Sequence, residues 1–209
     1  MTTDEAEPGT LRPGGRTARV RAAVLRAAGD VLAEHGFAHM DLADIAQRAG
    51  VGKTTVYRRW GTVTALVTDL LTEMIESSLP RTHTGSLLGD LGAHARLVYT
   101  TLTDPRQGPL FKAVIAAATY DERTAAALRR FYDARITEWA PCVREATARG
   151  EVPEDTDPRE VIRAVSAPLY YRLLASGDPL DETTADRAAK AAIAAARAGI
   201  FSPQNDEIG

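Results

Sequence analysis

Residues 41–60 read Asp-Leu-Ala-Asp-Ile-Ala-Gln-Arg-Ala-Gly-Val-Gly-Lys-Thr-Thr-Val-Tyr-Arg-Arg-Trp. The spacing predicts two short helices around a tight turn. Asp41 is a good N-cap, because its carboxylate can accept from the free N–H groups of a first turn. Leu42, Ile45, Ala46 and Ala49 then recur at helical spacing on one face. Gly50 stops the first helix where a left-handed residue is needed. Val51 plugs the turn, and a second helix runs from Lys53 to Trp60 with Val56 turned inward.

The outward set is Lys53, Thr54, Thr55, Tyr57, Arg58 and Arg59. These side chains suit a duplex: Arg and Lys neutralise phosphate or fork onto guanine, Thr packs on thymine methyl, and Tyr donates to phosphate oxygen. A helix carrying them in its first two turns fits the major groove. The plainer alternative is an αα-hairpin with a solvated basic face. The turn and the Thr-Thr-x-Tyr-Arg-Arg pattern favour DNA.

Residues 44–67 together with the preceding Ala33–Phe37 (AEHGF) resemble the helix-turn-helix of the tetracycline-repressor (TetR) family. The resemblance covers residues 16–71 and rests on the Ala-Gly-Val turn, Thr55, Tyr57, Trp60 and Leu66. The lactose-repressor type has a similar turn but follows it with an α/β domain, for which this sequence has no pattern. The resemblance implies DNA contacts from Lys53, Thr54, Thr55, Tyr57 and Arg59, with Arg58 beside them, and a cap and phosphate contact from Thr62. Three positions depart from the family pattern: Ala43 where an Arg is frequent, Gly52 in place of a Ser cap, and Val63 in place of a Lys.

Outward from this stretch, residues 1–15 are polar and rich in Pro and Gly, which predicts a disordered tail. Thr17 to His35 predicts a helix under the motif, with Val20, Val24, Ala27, Ala28, Val31 and Leu32 as its stripe. Residues 62–79 predict a helix that starts beside the motif and ends in the rest of the chain. Further helices are expected at 86–103, 109–119 and 121–149, the last bent near 137–141 by Pro141 inside it, then at 158–175 and at 181–199. No strand alternation occurs. The expected fold is all-α with about nine helices: a DNA-binding head at 16–61 and a regulatory and dimerisation body at 62–203.

Net charge is −3 over 209 residues, which at first argues against nucleic acid. Its distribution reverses that argument. Residues 10–60 hold nine Lys+Arg against four Asp+Glu, whereas residues 61–209 hold 16 against 21. A basic head on an acidic body suits a local DNA reader. The single cysteine, Cys142, excludes an internal disulfide and reads as an inert small hydrophobe. Neither a metal-ligand spacing nor a phosphate-cradling glycine loop is present, so no cofactor and no enzyme activity are expected. No apolar run could span a bilayer and the N-terminus lacks a signal-peptide core, which points to the cytoplasm.

Two uses suggest themselves for the body. A lone helix-turn-helix reads only a few base pairs, so a palindromic operator calls for a homodimer. The helices near 158–175 and 182–199 are the candidate interface, the second through its alanines at 188, 189, 191, 192, 194, 195, 196 and 198. The family resemblance also implies a small-molecule effector cavity in the middle helices. His94, Tyr99, Phe111, Phe131, Tyr132, Arg135 and Trp139 are the candidate lining residues. The function expected is a transcriptional repressor released from DNA by its effector. The alternatives are an enzyme housed in the helical body and a DNA protein that binds partners without a ligand.

Overall fold

A computed structural model of the protein describes residues 14–77 and 80–203. Among these there are nine α-helices and no strand. Residues 1–13 of the expected 1–15 tail and the last residues of the expected 62–79 helix, Ser78 and Leu79, lie outside the described residues.

Helix α1 spans Gly14–His35. It begins three residues earlier than the stripe predicts, so Gly14 and Gly15 are helical rather than part of a disordered tail. Glycine's low propensity costs least in a first turn, where the N–H groups have no intrahelical partner anyway. Val24, Leu25, Ala28 and Leu32 are fully buried on its inner face. The short helices α2 (Leu42–Arg48) and α3 (Lys53–Arg59) follow. Asp41 caps α2 as expected, its Oδ1 accepting from the N–H groups of Ala43 at 2.6 Å and Asp44 at 3.1 Å. Gly50 adopts φ +65°, and Val51 then donates its N–H to the Ala46 carbonyl at 2.9 Å. That left-handed residue reverses the chain between the two helices.

Helix α4 (Val63–Glu76) leaves the motif and packs on α7 (Glu122–Ala148) and α1. Thr62 caps it, accepting from the Ala65 N–H at 3.1 Å. Helices α5 (Leu87–Thr103) and α6 (Gln107–Ala118) come next. Gly108 lets them meet closely: a Cβ there would lie 2.5 Å from the Leu102 carbonyl oxygen. Helix α7 continues unbroken through Pro141. Its first turn is held by Asp121, which accepts from the Thr124 N–H at 2.6 Å. Helix α8 (Pro158–Tyr171) starts with Asp157 as cap and Pro at its first position. It passes into a π-turn at Arg172–Ser176 instead of running on as α-helix to 175, so Leu173 is only half-buried and Leu174 is 45% exposed.

Helix α9 (Glu182–Arg197) packs on α5 and α8 of its own chain. Its alanines therefore divide. Ala185, Ala188, Ala189, Ala192 and Ala196 are buried within the chain, whereas Ala191, Ala194 and Ala198 remain exposed. One buried cluster runs from Val24 on α1 to Ala196 on α9. Two main seams join the first four helices to the rest. One is α1 on α6, where Arg106 pairs with Asp30 at 2.5 Å and donates to the Arg26 carbonyl at 3.0 Å. The other is α4 on α7.

Candidate nucleic-acid interface

Helix α3 has seven residues, too few to be stable alone. It is held from inside by Val56, fully buried, and by Trp60, 8% exposed. Trp60 carries an indole N–H into the core, and a buried indole needs an acceptor. Asp69 of α4 supplies it, its Oδ2 accepting at 2.9 Å. The same carboxylate takes a forked contact from Arg21 of α1, with Nη2 donating at 2.7 Å and Nε at 3.1 Å. Burial alone would push the Asp69 carboxyl up. The hydrogen bonds from Arg21 and Trp60 outweigh it and hold the pKa below the usual carboxylate range. One acid thus ties together α1, α4 and the end of α3.

The other face of α3 is open. Lys53, Thr54, Tyr57, Arg58 and Arg59 are exposed, Thr55 is half-buried, and Thr62 is exposed beside them. Among the described residues Lys53, Arg58 and Arg59 form no ion pair, although Arg21 and Arg48 nearby do. The Arg59 guanidinium lies 5.2 Å from the Trp60 ring centroid, which steadies it without neutralising it. Three basic groups without an ion-pair partner and four hydroxyl groups therefore share one surface. Gly52 at the N-cap of α3 provides no side-chain hydrogen bond, as the missing serine predicts.

A cavity of about 810 Å³ lies between α4, α5, α6, α7 and α8. Its wall contains five of the seven residues singled out for it: His94, Phe111, Phe131, Tyr132 and Arg135. Trp139 does not reach the wall. It is 1% exposed and lies behind His94, ring centroids 4.7 Å apart. Tyr99 is half-buried against the core outside the lining. Other lining residues escaped sequence reading, four of which matter here. Tyr170 packs edge-to-face on Tyr132 at 5.5 Å. Ser166 sits 3.0 Å from His94 Nε2, and its hydroxyl donates to the Ile162 carbonyl at 3.2 Å. Met74 and Ser77 bring the far end of α4 into the wall. Ser166 left a signal, a lone hydroxyl beside the apolar stripe of α8. The buried Trp60 likewise called for an acceptor one helix on.

Burial, and then the charge of Arg135, depress the His94 pKa to about 3, so the ring is neutral. His94 Nε2 and the Ser166 hydroxyl share a hydrogen bond at 3.0 Å, while Nδ1 is buried without a partner among the described residues. Burial raises the Cys142 thiol to about 12, which leaves it unreactive. Among the described residues no three His, Cys, Asp or Glu side chains gather where a metal could bind. No helix there is long and apolar enough to cross a membrane.

Comparison with known proteins agrees with this geometry. A family model described as "Bacterial regulatory proteins, tetR family" matches residues 24–70, and one described as "Tetracyclin repressor-like, C-terminal domain" matches residues 81–192. The chain belongs to the TetR family. It is therefore a helix-turn-helix, DNA-binding transcriptional regulator. Among TetR-family relatives, the regulator YdeS of Bacillus subtilis is 33% identical over 77% of this chain and 81% of its own. The regulator AqdR of Rhodococcus erythropolis is 33% identical over 70% of each. The crystal structure of the TetR-family regulator SCO0332 is 30% identical, with a TM-score of 0.67 over 84% of this chain and 97% of that one.

Proposed function

We propose that this protein is a homodimeric cytoplasmic repressor that leaves a palindromic operator when a small molecule fills the pocket. The observation that carries this reading is the course of α4. One end is capped beside the recognition helix and tied to Trp60 through Asp69; the other end forms pocket wall at Met74 and Ser77. Fourteen residues at 1.5 Å each make α4 about 21 Å long, a rigid lever between the two sites.

In this reading residues 16–61 are the reading head and 62–203 the regulatory body. Lys53, Thr54, Thr55, Tyr57, Arg58, Arg59 and Thr62 contact DNA. The dimer forms through α8 and α9. Its support is the apolar surface left on these helices and just past their ends: Tyr171 at 63% exposure, Leu174 in the π-turn, and the outer alanines 191, 194 and 198. An effector that fits only one position of α4 changes the spacing of the two heads, so effector and operator oppose each other reciprocally.

The test is selection of bound fragments from random duplex DNA by the purified protein at physiological salt, where a basic surface alone binds weakly. The expected product is a palindrome with half-sites about 34 Å, one duplex turn, apart. A single unrepeated half-site would overturn the dimeric reading. Recovery of no sequence from folded protein would overturn operator recognition by the unliganded form.

A further inference from the structure

The pocket wall mixes a large apolar surface with a few polar side chains. Leu97, Val98, Phe111, Ile115, Leu128 and Ile136 bring no polar side chain. Most polar lining groups already have partners. Asp104 accepts from the backbone N–H groups of Arg106 at 2.9 Å and Gln107 at 2.7 Å. Arg163 is paired with Glu160, and Ser166 is held between His94 and Ile162.

Arg135 is different. It is half-buried in the same wall, yet among the described residues its guanidinium has neither a hydrogen bond nor an ion pair. Glu138, on the next turn, instead accepts the backbone N–H of Arg81 at 3.1 Å. Burial pulls the Arg135 pKa down, and Glu138 and Tyr170 only partly offset it. A guanidinium cannot shed its proton to escape that cost. It therefore stands as a lasting positive charge with unused donors in a mostly apolar cavity. His94 and Tyr170 line the same pocket as Arg135, and both feel its charge. His94 is neutral and adds no second charge, while the Tyr170 hydroxyl can donate to the same acceptor as Arg135.

We propose that the pocket takes an amphipathic monoanion, an aromatic or alkyl body bearing one carboxylate-type group seated on Arg135. The anion supplies the partner that the wall omits, and the body fills the apolar length. This proposal rests on the pocket being the effector site.

Two sets of matched probes test it: 2-naphthoate, 2-naphthamide and 2-naphthylmethylammonium, and decanoate, decanamide and decylammonium. Their binding to the full chain is measured by calorimetry at neutral pH, for the wild type and for Arg135→Met and Arg135→Lys. The expected result is that a carboxylate binds the wild type at least about tenfold more tightly than its amide, and that the ammonium binds least. Arg135→Met should remove the preference and Arg135→Lys should keep most of it. Melting of the free proteins gives a readout that a structural role would move the other way: Arg135→Met should melt no lower than the wild type, because it removes an unpaired buried charge. Equal binding of carboxylate and amide, a preference surviving Arg135→Met, or a lower melting temperature for that variant would overturn the proposal and leave the pocket standing. Binding of none of the six probes to the wild type would overturn the pocket itself as an effector site, and the proposal with it.

Discussion

Single residues set the terms of both sites. Asp69 is the clearest case, since one carboxylate holds Trp60 and Arg21 together. Asp69→Ala strands a buried indole N–H and leaves Arg21 only its longer contact with Glu76 at 3.4 Å, and should cost about 1–3 kcal/mol by denaturant unfolding, on the scale of a buried donor left without its acceptor. It should also weaken DNA binding more than its distance from the recognition face suggests. On that face, Arg58→Ala and Arg59→Ala should each cost about 1–3 kcal/mol of operator affinity if they read bases, or lower the salt slope by about one if they hold phosphates. His94 makes a prediction about pH. Its folded pKa of about 3 lies below the unfolded value of 6.5, so the unfolded chain binds the extra proton. Its contribution is intact above pH 6.5 and is lost as pH falls from 6.5 towards 3, by up to about 1.4 kcal/mol per pH unit. A stability profile of His94→Gln, compared with the wild type, should be flatter by that amount over the same range.

Individual elements show what the sequence makes legible. Caps and stops were readable because their chemistry is local: Asp41, Thr62, Asp121 and Asp157 each accept from a first-turn N–H, as their positions before apolar periodic runs imply. The recognition stretch was readable for the same reason, since Gly50 and Val51 act within a few residues. What depends on distant partners was not. Nothing local marks Tyr170 as pocket wall, or places Trp139 behind His94 rather than beside a ligand; helix packing decides both. The seam between α1 and α6 was also hidden, because Asp30 and Arg106 are 76 residues apart. Magnitudes also temper the sequence reading of Gly52. A glycine N-cap falls only a few tenths of a kcal/mol short of serine, and its φ of −60° is open to any residue. Gly52→Ser should therefore raise stability by only a few tenths of a kcal/mol. Gly108→Ala should do the opposite, losing about 1–3 kcal/mol by chemical denaturation, because its new methyl would press on a backbone oxygen that cannot yield.

At the scale of the whole molecule, the burial pattern divides binding from folding. The groups that hold α3 in place, Val56 and Trp60, face inward, while Lys53, Thr54, Tyr57, Arg58 and Arg59 face out and touch little of the core. Sedimentation of the purified protein should give a dimer, and a charge placed on the outer surface of α9, as in Ala194→Glu, should shift it towards monomer without unfolding it. Because α3 draws its helicity from neighbours rather than from its own outward residues, that surface is free to be rewritten. A library randomised at those five positions should yield members that keep the parental melting temperature and oligomeric state yet select new operators. The short recognition helix is in that sense an exchangeable key on a fixed lock: target choice can evolve in this protein without renegotiating its fold or its response to ligand.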